Sequence, residues 1–103
     1  MNWHPDKIKR FRGAILSLLC EGHNAQRSRM DDVAMAHALQ SLAWDVGLND
    51  VLTTLQYMRG RGWITYRELK NRITNRTELS QIELLPDGRD LVEQTSSSDL
   101  VLF

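Results

Sequence analysis

Apolar residues near the start of the chain recur every three or four positions between Pro5 and Gly22, a spacing that predicts an amphipathic helix. The stripe consists of Ile8, Phe11, Ile15, Leu18 and Leu19. Pro5 suits the first turn of a helix because its missing N–H is not needed there, and Gly22 suits the end. Residues 23–30 show no such periodicity and are predicted to form a loop.

A second helix is predicted to begin at Asp31 and Asp32 and to end at Gly47, because its apolar positions recur at i, i+4, i+7 and i+11. These positions are Met35, Leu39, Leu42 and Val46. Asn49 follows after a very short connection, and its side chain suits the N-cap of a third helix over residues 49–59. Two helices joined by such a tight turn predict a helix-turn-helix.

The pattern changes after Gly62, where β-branched and aromatic residues indicate a two-stranded hairpin that ends near Leu84. A turn centred on Thr74 puts like faces together across the ladder. The predicted cross-strand pairs are Ile64 with Leu84, Tyr66 with Ile82, Leu69 with Leu79, Lys70 with Glu78, and Arg72 with Arg76. Asn75 lies in the predicted loop, and asparagine tolerates the left-handed conformation that such loops use.

A short fourth helix is predicted from Pro86 to Glu93, entered through the proline and an acidic first turn. The chain has 103 residues, close to the size of one domain, which we place over residues 1–95. Residues 96–103 combine small polar positions with an apolar end, so we expect a flexible apolar tail there. That tail could be disordered, docked on its own domain, or held by a partner.

The charges are unevenly distributed, although lysine plus arginine and aspartate plus glutamate both total 13 and the net charge is zero. Residues 59–76 carry six cations against one acid, Glu68. From residue 77 onward the balance is reversed, and acids dominate. The hairpin is therefore predicted to be basic and the C-terminal region acidic.

Composition and spacing disfavour several classes of protein. No stretch approaches the ~18 consecutive apolar residues of a membrane span, and the N-terminus lacks the order of a secretory signal, so we expect a cytoplasmic protein. The lone Cys20 lies among leucines and is expected to be a small buried hydrophobe. The histidines lie on separate elements, and no glycine-rich phosphate loop or hydrolase serine turn is found. We therefore expect no enzyme activity, no metal and no cofactor.

Three helices, a basic hairpin and a proline-led last helix resemble the winged helix-turn-helix superfamily. The segments that carry the resemblance most directly are Gly62–Ile64 and Ile82–Glu93. It covers about residues 6–94 and implies an α+β winged helix, with a three-helix bundle, a long β-hairpin wing and a short C-terminal helix. The join before the last helix is similar to that of many bacterial regulators, although Leu85 stands where a threonine cap is common. The layout is also similar to small winged-helix proteins of Mu-like phages.

The resemblance implies a transcription regulator that binds double-stranded DNA. The third helix would enter the major groove, and the hairpin tip would contact the backbone or the minor groove. Cations would neutralise phosphates, and polar side chains of the helix would face base edges. The candidate DNA-binding residues are Asn49, Thr53, Thr54, Gln56, Arg59, Arg61, Arg67, Lys70, Arg72 and Arg76. Asp50, near the start of the helix, would repel phosphate.

A winged helix can also serve as a protein-interaction or dimerisation module without binding DNA. Trp44 favours this alternative because it falls opposite the apolar stripe of its predicted helix, and aromatic residues are enriched at interface centres. Trp44 could instead pack under the N-terminal segment or the tail of its own chain. The candidate interface residues are Trp3, Val33, His37, Trp44, Leu100 and Phe103. A homodimer would combine both functions, since it presents two wings to one duplex.

Overall fold

The structure, a computed structural model, describes residues 3–24 and 30–103, which form four helices and one antiparallel hairpin. In chain order the elements are α1 (Pro5–Asn24), α2 (Asp32–Ser41), α3 (Leu48–Gly60), β1 (Ile64–Asn71), β2 (Arg76–Leu84) and α4 (Pro86–Val92). The predicted order of three helices, a hairpin and a short helix is confirmed. The first helix continues past Gly22, and most of the loop predicted over residues 23–30 lies outside the described residues.

The core lies where the first three helices pack against one another and against the hairpin. Its most deeply buried apolar side chains are Phe11, Ile15, Leu16, Met35, Leu39, Val51, Leu55, Met58, Ile64 and Leu79. Each helix contributes residues three or four apart, so that its apolar stripe faces the centre. Cys20 is buried as well, as expected for a small apolar side chain.

The second helix is shorter than predicted. Asp31 caps its start, as the paired aspartates indicated, by accepting a 2.7 Å hydrogen bond from a backbone N–H of the first turn. The helix ends early, at Ser41, because Ala43 adopts a left-handed conformation with a φ of 68° that turns the chain. Leu42 is consequently 57% exposed and not part of the core, whereas Val46 reaches the core from the connection.

The third helix begins directly after Gly47, so Asn49 lies inside it and is not the predicted N-cap. Gly47 holds the cap position, and its N–H donates to the Asp50 carboxylate at 3.2 Å. Asp50 therefore satisfies a backbone group and complements the positive end of the helix dipole. Helices α2 and α3 pack against each other across their short connection, as a helix-turn-helix requires.

The hairpin has the predicted pairing at its base and a different pairing towards its tip. Ile64 pairs with Leu84 as predicted. A β-bulge follows, where Gln81 takes a φ of 52° and β2 carries one more residue than β1. The observed pairs beyond it are Arg67 with Ser80, Glu68 with Leu79, Leu69 with Glu78, Lys70 with Thr77, and Asn71 with Arg76. The predicted outer pairs, including Arg72 with Arg76, are therefore wrong because the bulge shifts the register.

The tip of the hairpin is a loop over residues 72–75. Asn75 takes the left-handed conformation expected of it, with a φ of 57°. The Asn71 side-chain oxygen accepts hydrogen bonds from the N–H groups of Ile73 at 2.9 Å and Thr74 at 3.2 Å. These bonds fix the loop in an Asx-type turn, and Ile73 is left 95% exposed at its apex.

The short fourth helix packs closely on the start of the hairpin through Gly88. A Cβ added to Gly88 would overlap the carbonyl oxygen of Trp63. The same oxygen accepts a 2.9 Å hydrogen bond from Leu85 N–H. Glycine weakens a helix, but here it permits a contact that no other residue allows. Leu85 caps the helix without a side-chain hydrogen bond, as expected from the sequence.

The end of the chain lies against the first helix. Val101 is buried, and Leu102 N–H donates to the carbonyl of Lys9 at 3.1 Å. Gly13 permits this approach, because a Cβ there would overlap the Leu102 carbonyl oxygen. Of the three states that the sequence left open for this segment, the structure has the docked one. The predicted boundary between a domain and a flexible tail at residue 95 stays a prediction.

Candidate nucleic-acid interface

The third helix presents a polar face to solvent. Asn49, Thr53 and Gln56 are exposed on it, at spacings of four and three residues that place them on one side of the helix. Thr54 is only 4% exposed, and its hydroxyl donates to the Asp50 carbonyl at 2.9 Å. Thr54 therefore does not reach the surface that the sequence assigned to it, because it belongs to the buried side of the helix.

Arg59 connects the end of α3 to β1. Its Nη1 lies 3.4 Å from the Glu68 carboxylate, and its Cζ lies 4.7 Å from the centroid of the Tyr66 ring. Both partners of the ion pair are about half exposed, so the pair contributes less than ~1 kcal/mol to stability. The pair marks the place where the end of α3 lies beside β1.

Exposed cations that form no ion pair with another described residue lie on β1, at the hairpin tip and just before the strand. Arg67, Lys70 and Arg72 are exposed there, and Arg61 is exposed just before the strand. None of these four residues forms an ion pair with another described residue. Arg61 lies near the Trp63 ring, with its Cζ 5.9 Å from the ring centroid. This group of side chains is available to an anionic ligand.

Arg76, the remaining cation of the predicted set, is used differently. Its Nη1 lies 2.9 Å from the Oδ2 atom of Asp32, and its Nη2 lies 3.5 Å from the Oε1 atom of Glu78. The sequence placed Arg76 at the tip as a free cation opposite Arg72. The structure pairs it internally instead, and Asn71 is its neighbour across the ladder.

The Asp32 carboxylate joins α2 to β2. It is 1% exposed, and its Oδ2 accepts from Leu79 N–H at 3.1 Å while its Oδ1 accepts from Val33 N–H at 2.7 Å. Burial alone would raise the pKa of Asp32. The hydrogen bonds from Arg76 and Leu79, together with the charge of Arg76, outweigh burial and lower this pKa below its ordinary value.

The two tryptophans predicted at an interface pack within the chain. Trp44 stacks on Trp3 with ring centroids 6.0 Å apart and lies 5.1 Å from the ring of Phe11. Trp3 meets Phe11 edge-on at 5.1 Å. Trp44 is therefore covered by the N-terminal segment of its own chain, which was the other possibility that the sequence left open.

The other predicted interface residues are divided between buried and exposed positions. Leu100 is half-buried, and its carbonyl accepts a 3.0 Å hydrogen bond from Arg12. Val33 and His37 are exposed one helical turn apart on α2, and Phe103 is 57% exposed. These last three side chains are the part of the predicted interface that is open to solvent.

Sequence reasoning missed the roles of Asp32 and Arg12. Asp32 follows Asp31, and a second acid at a helix start is fully explained by the helix dipole, so no signal marked it. Arg12 stacks on the Tyr57 ring with its Cζ 3.9 Å from the centroid, and so links α1 to α3. Its spacing did contain a signal, because residues 8, 12, 15 and 19 fall on one helical face.

The rest of the described chain shows no candidate metal site and no candidate membrane span. Among residues 3–24 and 30–103, no group of three or more His, Cys, Asp or Glu side chains is placed to hold a metal ion. None of the helices in this part of the chain has the length and apolar character to cross a bilayer. A shallow cavity of about 420 Å³ lies between α4 and the end of the chain, and no titratable side chain lines it.

Comparison with known proteins shows the fold. No protein-family profile matches the chain, and no curated protein sequence matches it. Two solved structures are similar, one of a cysteine-to-serine mutant of MarR from E. coli and one of that mutant complexed with operator DNA. Each is 21% identical, with a TM-score of 0.50.

Each likeness covers 87% of this chain, against 63% of the MarR chain alone and 61% of the MarR chain with DNA. The protein therefore spans less than two thirds of the length of those chains. Together with the order of its elements, the likeness confirms the winged-helix fold, in which the hairpin of β1 and β2 is the wing. Neither structure is of a phage protein, so the similarity to phage winged helices stays a prediction.

Proposed function

We propose that this winged-helix protein binds double-stranded DNA through α3 and the wing, and that it acts as a small transcriptional regulator. The observation that carries the proposal is the contact of Arg59 with Glu68 and Tyr66. This contact shows that α3 lies beside β1, whose exposed cations Arg67 and Lys70 form no ion pair with another described residue. A MarR structure complexed with operator DNA has the same fold, which supports the proposal.

In the proposed complex the third helix lies in the major groove. The amides of Asn49 and Gln56 and the hydroxyl of Thr53 then face base edges, where amides pair well with adenine. The cations assigned to phosphate contacts are Arg61, Arg67, Lys70 and Arg72. Because α3 carries a single arginine, most of the affinity comes from the wing and its neighbourhood.

We also propose that the protein works in the cytoplasm as a homodimer, since a two-fold dimer presents two wings to one duplex. Val33, His37 and Phe103 are assigned to the interface because they are the predicted interface residues that solvent reaches. Size-exclusion chromatography with light scattering, which measures the molar mass of the protein as it elutes, tests this proposal. A mass of twice 11.9 kDa supports it, and a mass of 11.9 kDa at all concentrations contradicts it.

The alternative function is a protein-interaction module that binds no DNA. Exposed Val33 and Leu42 on and beside α2 favour it, since apolar surface near a helix is commonly covered by a partner. Trp44 no longer supports this alternative, because it is covered within the chain. Binding to DNA distinguishes the two functions.

Fluorescence anisotropy of a labelled random-sequence duplex, titrated at low and near-physiological salt, tests the proposed function. We expect roughly micromolar binding that weakens steeply with salt. Replacing Arg67 and Arg72 together by glutamine should lower the salt slope by about 1.8, or about 0.9 for each phosphate contact. The matched control is Arg89→Gln, because Arg89 lies on α4 and pairs with Glu93 at 3.4 Å. No binding at low salt would favour the interaction module.

A further inference from the structure

The wing is held on its second edge by polar contacts from the start of α2. Ile82 N–H donates to the Met30 carbonyl at 2.9 Å, and Leu79 N–H donates to the Asp32 carboxylate at 3.1 Å. Strand β2 therefore has partners along both edges, β1 on one side and the segment around residues 30–32 on the other. The Asp32 side chain stands where a neighbouring strand would offer a carbonyl oxygen.

The same carboxylate forms an ion pair with the guanidinium of Arg76. Nη1 of Arg76 binds Asp32 at 2.9 Å and Nη2 approaches Glu78 at 3.5 Å, so both ends of the guanidinium face carboxylates. Arginine binds carboxylate and phosphate oxygens with the same planar geometry. Arg76 begins β2 directly after the tip loop, in the part of the wing that we assign to DNA. Asp32 and Glu78 thus occupy N–H donors that a phosphate group would otherwise bind.

We propose that Asp32 is a positioning residue for DNA contact, which fixes the wing on α2 and withholds the Arg76 guanidinium from the phosphate backbone. This inference rests on the proposed function. Stability alone is a weak reason for such a pair, because buried ion pairs add little over packed apolar side chains. The pair instead aligns two elements and sets the number of phosphate contacts that the wing makes.

The test is the salt dependence of DNA binding for Asp32→Asn, measured on the random-sequence duplex. Asparagine keeps the shape of the side chain and one acceptor oxygen, but it releases the charge that holds Arg76. We expect the slope of log K against log salt to steepen by about 0.9, the value for one added phosphate. The gain in affinity over the unchanged protein then grows about eightfold for each tenfold fall in salt.

The matched control is Asp31→Asn. Asp31 is the exposed neighbour of Asp32, so this variant loses the same charge one residue away. Asparagine caps a helix as well as aspartate does, so the N-cap is kept. Its salt slope should stay at the parental value. A slope that steepens equally in both variants would overturn the inference, because loss of any acid near the wing would then explain the effect.

The source of the added contact is identified by combining Asp32→Asn with Arg76→Gln. The second change should return the slope to the parental value if Arg76 supplies the new contact. A slope that stays steep in the double variant would overturn the inference. A thermal melting curve of each variant, measured before binding is compared, confirms that the variant is folded at the temperature of the binding assay.

Arg76→Gln and Arg72→Gln, each alone, test the inference without any change to Asp32. We expect Arg72→Gln to reduce the salt slope by about 0.9 and Arg76→Gln to leave it unchanged. An equal reduction of the salt slope in both variants would overturn this inference, but it would still support the proposed binding to DNA. Binding by Asp32→Asn alone, with none by the unchanged protein, would support it. No binding by either protein would overturn both this inference and the proposed function.

Discussion

The two strands of the wing use their arginines in opposite ways. On β1 Arg67 is exposed and pairs with no described residue, and Arg72 at the tip is the same. On β2 the Arg76 guanidinium contacts two carboxylates, those of Asp32 and Glu78. The difference arises because the start of α2 covers the edge of β2 and leaves β1 open. A count of cations along a hairpin therefore overstates how many are available to an anionic ligand, because the segment that packs on each strand edge decides which cations are paired within the chain.

The largest effect expected from this difference is on stability. Replacing Arg76 by alanine leaves the carboxylate of Asp32 buried without its counter-ion, so we expect a loss of about 2 kcal/mol in the free energy of unfolding. The N–H groups of Val33 and Leu79 still donate to this carboxylate, so the loss is smaller than for a buried carboxylate with no hydrogen bonds. Replacing Arg72 by alanine should change the same quantity by less than about 0.5 kcal/mol. Urea unfolding of both variants measures the contrast, and equal losses would contradict it.

The contribution of Asp32 should also depend on pH. Because the folded-state pKa of Asp32 is lowered, the unfolded chain takes up this proton at a higher pH than the folded chain does. Protonation therefore favours unfolding, so the contribution is complete above the ordinary carboxyl pKa and is lost as pH falls through the lowered one. Asp32→Asn does not titrate at this position. Its deficit in unfolding free energy should be constant above about pH 5 and shrink below it.

Urea unfolding of the parent and of Asp32→Asn across this range measures the deficit. Asp31→Asn is the control, since it keeps a helix cap in the same turn. A deficit for Asp32→Asn that stayed constant into the acid range would show that its cause is shape and not charge.

The elements of the fold could be predicted because each depends on local patterns. The apolar stripe around Phe11 and the proline-led start at Pro86 are of this kind, and both elements are found in the structure. The end of α2 and the register of the outer wing could not be predicted. They depend on left-handed residues, Ala43 and Gln81, whose side chains carry no preference for that conformation.

The sequence could predict those parts of the candidate site in which the exposed residues belong to a single helix or strand. The polar face of α3 and the cations of β1 follow from periodicity and charge. The pairing of Arg76 with Asp32 joins residues 44 positions apart, and no spacing rule relates them. The sequence also left open what covers Trp44, since a helical wheel shows which face is apolar and not which segment packs on it; in the structure Trp3 stacks on Trp44.

The smallest expected change in the free energy of unfolding is at the ion pair on β1, the more exposed strand of the wing. Arg59 and Glu68 form the ion pair between α3 and β1, with about half of each side chain in water. Glu68→Gln should therefore change the free energy of unfolding by less than about 0.5 kcal/mol, because water screens the pair. Glu93→Gln is a matched control, since it breaks a pair of the same 3.4 Å length within α4. Urea unfolding of both variants should give similar small values. A loss above about 1 kcal/mol for Glu68→Gln alone would mean that this pair, like Arg76 with Asp32, holds the wing in place.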